Sequence, residues 1–315
     1  MKFAFVFPGQ GSQSVGMMQG YAGLPIVQET FTEASDILIQ DMWRLVSEGP
    51  FEEMNQTVNT QPLMLAAGVA VYRAWQAQGG AQPFIMAGHS LGEYTALVAA
   101  GALKFADALL LVKLRAQLMQ EAVPEGVGAM AAILGLDDDI VSAVCAEAAR
   151  GEVLQAVNFN SPGQVVIAGH KAAVERGMAL AKDKGAKRAL LLPVSVPSHC
   201  DLMRPAADKL GLALSAVDIK PPMITILHNA DVQSHTQPSL IKDALERQLY
   251  QPVQWVETIR EFGKSGVEHL VECGPGKILA GLNKRIDSAM QVSALTDTST
   301  LEQAKNKLKI NYKLL

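Results

Sequence analysis

The chain has 315 residues, 49% hydrophobic and 18% charged, enough to bury a sizeable core in one or two domains and too apolar to stay disordered. A formal net charge of −4 gives no global pull toward nucleic acid, and no uncharged apolar run nears a membrane span. Three cysteines (Cys145, Cys200, Cys273) without metal-ligand spacing predict a reducing compartment, no disulfide framework and no metal. The first apolar stretch, residues 3–7, is broken by Pro8-Gly9 before it could form a signal-peptide core, so a cytoplasmic chain is expected.

Residues 2–7 predict a short buried strand ending in the turn Pro8-Gly9-Gln10-Gly11-Ser12-Gln13. The spacing denies a dinucleotide loop, because Gly9-x-Gly11 is followed by Gly16 and not by a glycine at position 14. Such a turn can instead offer main-chain N–H groups at the carboxyl end of a strand, where open α/β sheets place their sites. Residues 27–80 predict mainly helix with breaks at Pro50 and Pro62, and Thr60-Gln61-Pro62 opens a helical run over 63–75.

An apolar run over 83–87, then Gly88-His89-Ser90-Leu91-Gly92, then a helix-like run over 93–103 give the strand, Gly-x-Ser-x-Gly, helix order of a nucleophile elbow. Ser90 is the predicted nucleophile; the alternative is a buried turn serine.

The next predicted helix carries Asp107 near its start and reaches about residue 122. Arg115 has Leu111, Val112, Leu118 and Met119 three and four residues away, so it sits inside the apolar stripe. A guanidinium keeps its charge, so burial demands an anionic partner. Glu93 could supply an internal ion pair, the side chain could snorkel to water, or the carboxylate could arrive with the substrate.

Residues 126–194 change character. Strands over 128–136, 154–160, 164–169 and 186–194 and helices over 137–150 and 172–184 make β-α-β-β-α-β, the ferredoxin-like order. A small domain inserted into a larger one is the economical organisation, with 1–125 and 196–315 as the discontinuous large domain and 126–195 as the insert. Alternation then resumes: strands over 223–229, 267–273 and 291–295, with helices over 239–250, 252–263 (Pro252 in its first turn) and 278–286, and a basic helical tail from 299. Gly274-Pro275-Gly276-Lys277 is not a phosphate loop, since Val271 stands where its leading glycine would be and no Ser or Thr follows the lysine.

A nucleophilic serine needs a base. His89 adjoins Ser90, so on a tight elbow the two side chains diverge and His89 suits the site wall. His170 belongs to the insert, and His269 lies within a strand. His228 ends a strand on the side where sites form and is the second choice. His199, in Val196-Pro197-Ser198-His199, stands where the chain returns to the large domain, beside the expected cleft, and is the first choice. Cys200 adjoins the histidine it would need, which disfavours it as nucleophile.

Taken in order, Phe7-Pro8-Gly9-Gln10-Gly11-Ser12-Gln13, Gly88-His89-Ser90-Leu91-Gly92-Glu93-Tyr94, Arg115, Val196-Pro197-Ser198-His199 and Gly274-Pro275-Gly276 resemble the malonyl-CoA:acyl carrier protein transacylases and, more loosely, the acyltransferase domains of polyketide synthases. The likeness covers about residues 2–295; the tail, with Leu308-Lys309-Ile310-Asn311-Tyr312, lies outside it. It implies a large α/β-hydrolase-like domain with a parallel sheet carrying the ferredoxin-like insert. It implies an acylated Ser90, His199 as base and acid, and Arg115 holding the malonyl carboxylate. The Gln10 and Leu91 N–H groups would form the oxyanion hole and the Gln248 carbonyl would orient His199, with His89 and Gln61 on the site wall. The expected partners are malonyl-CoA and holo acyl carrier protein, with no cofactor, nucleic acid or membrane, for a monomer. Lys182, Lys184, Lys187 and Arg188, or Lys284 and Arg285, are candidate docking clusters for an acidic carrier.

Overall fold

A computed structural model describes residues 1–194 and 196–310; Asn311 and Tyr312 of the tail lie outside the described residues. The chain begins with β1 (Lys2–Phe7), α1 (Pro25–Leu38), α2 (Met42–Glu48), α3 (Phe51–Met54), α4 (Thr57–Ala77), β2 (Ile85–Gly88), α5 (Gly92–Ala99) and α6 (Phe105–Ala122). It continues through β3 (Gly128–Leu134), α7 (Asp138–Ala149), β4 (Leu154–Ser161), β5 (Gln164–His170), α8 (Lys171–Asp183) and β6 (Arg188–Leu191). The last stretch holds α9 (Arg204–Ser215), β7 (Thr225–Leu227), α10 (Pro238–Arg247), α11 (Trp255–Lys264), β8 (Val267–Cys273), α12 (Ile278–Ile286), β9 (Gln291–Leu295) and α13 (Thr298–Ile310). The class is α/β.

Strands from both ends of the sequence form one sheet in the order β7-β2-β1-β8-β9, and every pairing in it is parallel. β1 is central and buried from Phe3 to Phe7, as an apolar run covered on both faces must be. Both β1 and β2 deliver their carboxyl ends to the same edge, Phe7 opposite Gly88, which brings the Pro8–Gln13 turn beside the elbow.

The second sheet, β4-β5-β3-β6, is antiparallel throughout. Its strands alternate: Ala131, Ile133, Val165 and Ile167 pack with α7 and α8. Met130, Val166 and Ala168 face the other way and meet Cys200 beside the parallel-sheet portion.

Two local expectations change, and one helix is added. Pro62 does not break the chain: α4 runs through it, and burial of most of the helix offsets the one intrahelical bond that a proline cannot donate. Pro252 is not in a helix, because Val253 pairs with β4 (its N–H to the Val157 carbonyl at 2.8 Å), holding the chain extended until Trp255. The helix α9 falls in a stretch for which the sequence pattern predicts nothing; its buried face is only Ala206, Ala207, Leu210 and Leu214.

Candidate active site

Gly88 and Gly92 make the elbow sterically possible. A Cβ on Gly88 would overlap the Gly92 carbonyl, and one on Gly92 would overlap the carbonyl of Phe7. Between them Ser90 is held at φ +52°, a left-handed conformation that pushes its hydroxyl out of the turn. Asn229, at the end of neighbouring β7 and fully buried, clamps the elbow from below. Its Oδ1 accepts the Ser90 N–H at 2.7 Å, and its Nδ2 donates to the Gly88 carbonyl at 2.6 Å.

His199 is the imidazole that reaches the serine, with Ser90 Oγ and His199 Nε2 2.8 Å apart. It too has a positive φ, +66°. Its Nδ1 lies 2.7 Å from the Gln248 carbonyl, and its main-chain N–H donates to the Leu249 carbonyl at 3.0 Å. A carbonyl only accepts, so Nδ1 carries the proton and Nε2 is free to accept from the serine hydroxyl. Gln248 caps the end of α10, where carbonyls lack intrahelical donors; the imidazole takes the place of the missing N–H. Burial first, then the charge of Arg115, pushes the His199 pKa down to about 3, partly opposed by the bond to Gln248.

The Leu91 N–H stands at the N-terminus of α5, where the first amides have no helical acceptor. Neither it nor the Gln10 N–H has an acceptor among the described residues, and both residues line the cavity over Ser90. The two free donors and the hydroxyl share one cavity, the arrangement that stabilises an oxyanion formed at a carbonyl under attack.

Arg115 is buried, at 1% exposure, and faces this cavity. Its Nη1 donates to Gln61 Oε1 at 2.7 Å, and its Nη2 to Gln248 Oε1 at 3.0 Å and Ser90 Oγ at 3.4 Å. The expected alternative of an internal ion pair is not what forms. Glu93 is engaged by His228 Nδ1 at 2.6 Å, the Asn229 N–H at 3.0 Å and Gln248 Nε2 at 2.8 Å. No carboxylate oxygen lies within 4.0 Å of the guanidinium among the described residues.

His89 turns from the serine as the elbow requires: its Nε2 is 2.8 Å from Asn160 Oδ1 on β4, and its ring packs on Trp255. The remaining histidines serve elsewhere. His228 is sealed against Glu93, His170 accepts the Val153 N–H, His235 bonds Asp231 and His269 bonds Ser293. Cys200 is buried, and its thiol pKa is pushed up to about 12, which removes it as a nucleophile. The antiparallel sheet and the segment that follows β6 supply the far wall through Met130, Asn158, Leu192 and Val194. Sequence reasoning passed over Asn229 and the Gln248 side chain. The one signal for Asn229 was its place at a strand end on the site edge.

An elbow serine, an imidazole in contact with it and two main-chain donors without an acceptor among the described residues form, in an α/β protein, the arrangement that acyl transfer through a serine requires. A family model described as "Acyl transferase domain" matches residues 4–309, and the chain belongs to that family. It is similar to the malonyl CoA-acyl carrier protein transacylase of Escherichia coli strain K12, 58% identical over 304 residues, 96% of this chain and 98% of that relative. A crystal structure of an acyl-carrier-protein S-malonyltransferase from Burkholderia pseudomallei superposes with TM-score 0.96 at 59% identity, covering 97% of this chain and all of that one. A malonyl-transacylase in complex with its type II polyketide acyl carrier protein superposes at TM-score 0.97 and 52% identity, over 98% of this chain and 100% of that one.

Proposed function

We propose that the chain moves a malonyl group from malonyl-CoA to the phosphopantetheine thiol of holo acyl carrier protein, through a malonyl ester on Ser90, in the service of fatty-acid synthesis. The observation that carries the reading is Arg115: a buried guanidinium, without a carboxylate partner among the described residues, 3.4 Å from the candidate nucleophile. A bidentate fork selects an acyl group that ends in a carboxylate and leaves a buried charge unpaired against acetyl.

In the first half-reaction His199 Nε2 takes the Ser90 proton as Oγ attacks the thioester carbonyl. The oxyanion sits on the Gln10 and Leu91 N–H groups; the C–S bond breaks, and His199 returns the proton to the CoA thiolate. In the second, the carrier's thiol gives its proton to His199 and attacks the ester, and Ser90 leaves with that proton. The carboxyl end of α10, through the Gln248 carbonyl, supports the imidazolium in place of a carboxylate. Because the Arg115 charge helps hold His199 down, seating the malonyl carboxylate on Arg115 raises the basicity of His199 at the moment it is needed.

Residues 126–195 are read as an inserted domain forming one wall of the cleft. Lys187 and Arg188 are exposed at the head of β6, which leads to Leu192 and Val194 on the cavity wall, and this supports that cluster as the carrier-docking rim. The reading takes the chain as a cytoplasmic monomer, a reducing compartment suiting three free, buried cysteines.

The test is intact-mass spectrometry after mixing with malonyl-CoA. The wild type is expected to gain one malonyl group that holo carrier protein then removes, and Ser90→Ala to gain none. An adduct that persists on Ser90→Ala, or malonate released at the rate of loading without transfer, would overturn the reading.

A further inference from the structure

A buried guanidinium beside a cavity poses an electrostatic problem in the resting protein, before any substrate carboxylate arrives. Among the described residues Arg115 is the one buried Lys or Arg side chain, and Glu93 and Glu272 are the buried carboxylates. Glu272 is committed to α12, accepting the Leu279 and Ala280 N–H groups at 3.2 and 2.7 Å. Glu93 is fully buried beneath the elbow, and everything that touches its oxygens is a donor: His228 Nδ1, the Asn229 N–H and Gln248 Nε2. That acceptor-only setting suits an anion. His228 meets it through Nδ1, and the other ring nitrogen, Nε2, has no partner among the described residues.

Gln248 stands between the two charges. Its Nε2 donates to Glu93 Oε2 at 2.8 Å and to the Ser90 carbonyl at 2.9 Å, while its Oε1 accepts from Arg115 Nη2 at 3.0 Å. The amide therefore has one orientation, nitrogen toward the anion and oxygen toward the cation. A direct Glu93–Arg115 pair would satisfy the charge and fill the fork. One amide of separation keeps much of the attraction and leaves the guanidinium open toward the cavity.

We propose that Glu93 is the resting counter-charge of Arg115, held off by the Gln248 side chain so that neutral groups alone occupy the fork until the acyl carboxylate arrives. The inference rests on the reading of Arg115 as the carboxylate-binding group. Glu93 and Gln248 are positioning residues, and their removal acts in opposite directions, which damage to the fold alone would not produce.

The probe is free malonate as an inhibitor of Ser90 loading, with the malonyl-CoA to acetyl-CoA loading ratio measured alongside. Glu93→Gln removes the competing anion and is expected to tighten malonate binding about three- to thirty-fold, the span for one unit charge an amide away at protein dielectric. It is expected to raise the loading ratio as well. Gln248→Ala keeps the carbonyl bond to His199 but lets Arg115 close on Glu93, and is expected to weaken malonate about ten-fold or more. Unchanged or weaker binding in Glu93→Gln overturns the proposal. Should that variant not fold, unchanged binding in Gln248→Ala overturns it instead. Arg115→Ala separates the two layers. If it keeps the wild-type preference for malonyl, the clamp itself is wrong; if preference is lost but Glu93→Gln matches the wild type, only the counter-charge fails.

Discussion

The parallel-sheet side and the antiparallel-sheet side of the cavity are built by different physics. On the elbow side the backbone is forced: Ser90 and His199 both hold positive φ, and buried polar groups (Glu93, Arg115, Asn229, Gln248) are joined in one hydrogen-bonded set. On the other side, β3 presents Met130 from an alternating apolar sheet and the chain just past β6 presents Leu192, with Asn160 reaching back to His89. Strain and buried polarity gather around the candidate nucleophile, and ordinary packing is enough for a wall.

That contrast can be broken or sharpened by experiment. The largest effect is expected from Gly92→Ala, whose Cβ has no room against Phe7. Malonyl loading should fall by more than about 10³-fold, with a stability loss of about 2–4 kcal/mol in denaturant titration. Near-normal loading would mean that the elbow is not sterically fixed.

Arg115→Ala comes next, with kcat/KM for malonyl-CoA lower by about 10²-fold and acetyl-CoA little affected. Its pH profile carries a sign. His199 is lowered by burial and by Arg115, so the acid limb of wild-type kcat/KM lies below an ordinary histidine's. Removing Arg115 takes away the second of the causes that lower it, and the limb moves to higher pH. A limb that stays put would show that Arg115 does not act on the base.

The smallest effect belongs to the wall's own core. Ile167→Val, between the antiparallel sheet and its helices, is expected to cost about 1 kcal/mol of stability while leaving the loading rate within about two-fold. A rate loss as large as that of an elbow variant would erase the distinction between the two sides.

Much of this was legible in residue order because it is local. The elbow announces itself, since only glycine fits positions 88 and 92, and Arg115 is visible as a charge inside a helical apolar stripe. The β-α-β-β-α-β segment shows in alternation and turn residues, because the period of a strand is a property of neighbours in the chain. Helix limits were less secure. Pro62 and Pro252 mislead where burial of α4 and the pairing of Val253 with β4 outweigh the local signal, and α9 buries too narrow a face to stand out.

By itself, then, the sequence determined the α/β class, the serine on its turn, and a charge placed inside the apolar stripe of one helix. Tertiary structure alone decided that His199 and not His228 meets Ser90, that Asn229 clamps the elbow from 139 residues away, and that Glu93 is kept from Arg115 by Gln248. The reason is range. Steric and periodic rules act over a few residues, whereas pairing a buried polar group depends on which distant strand end the fold brings to the same edge of the sheet.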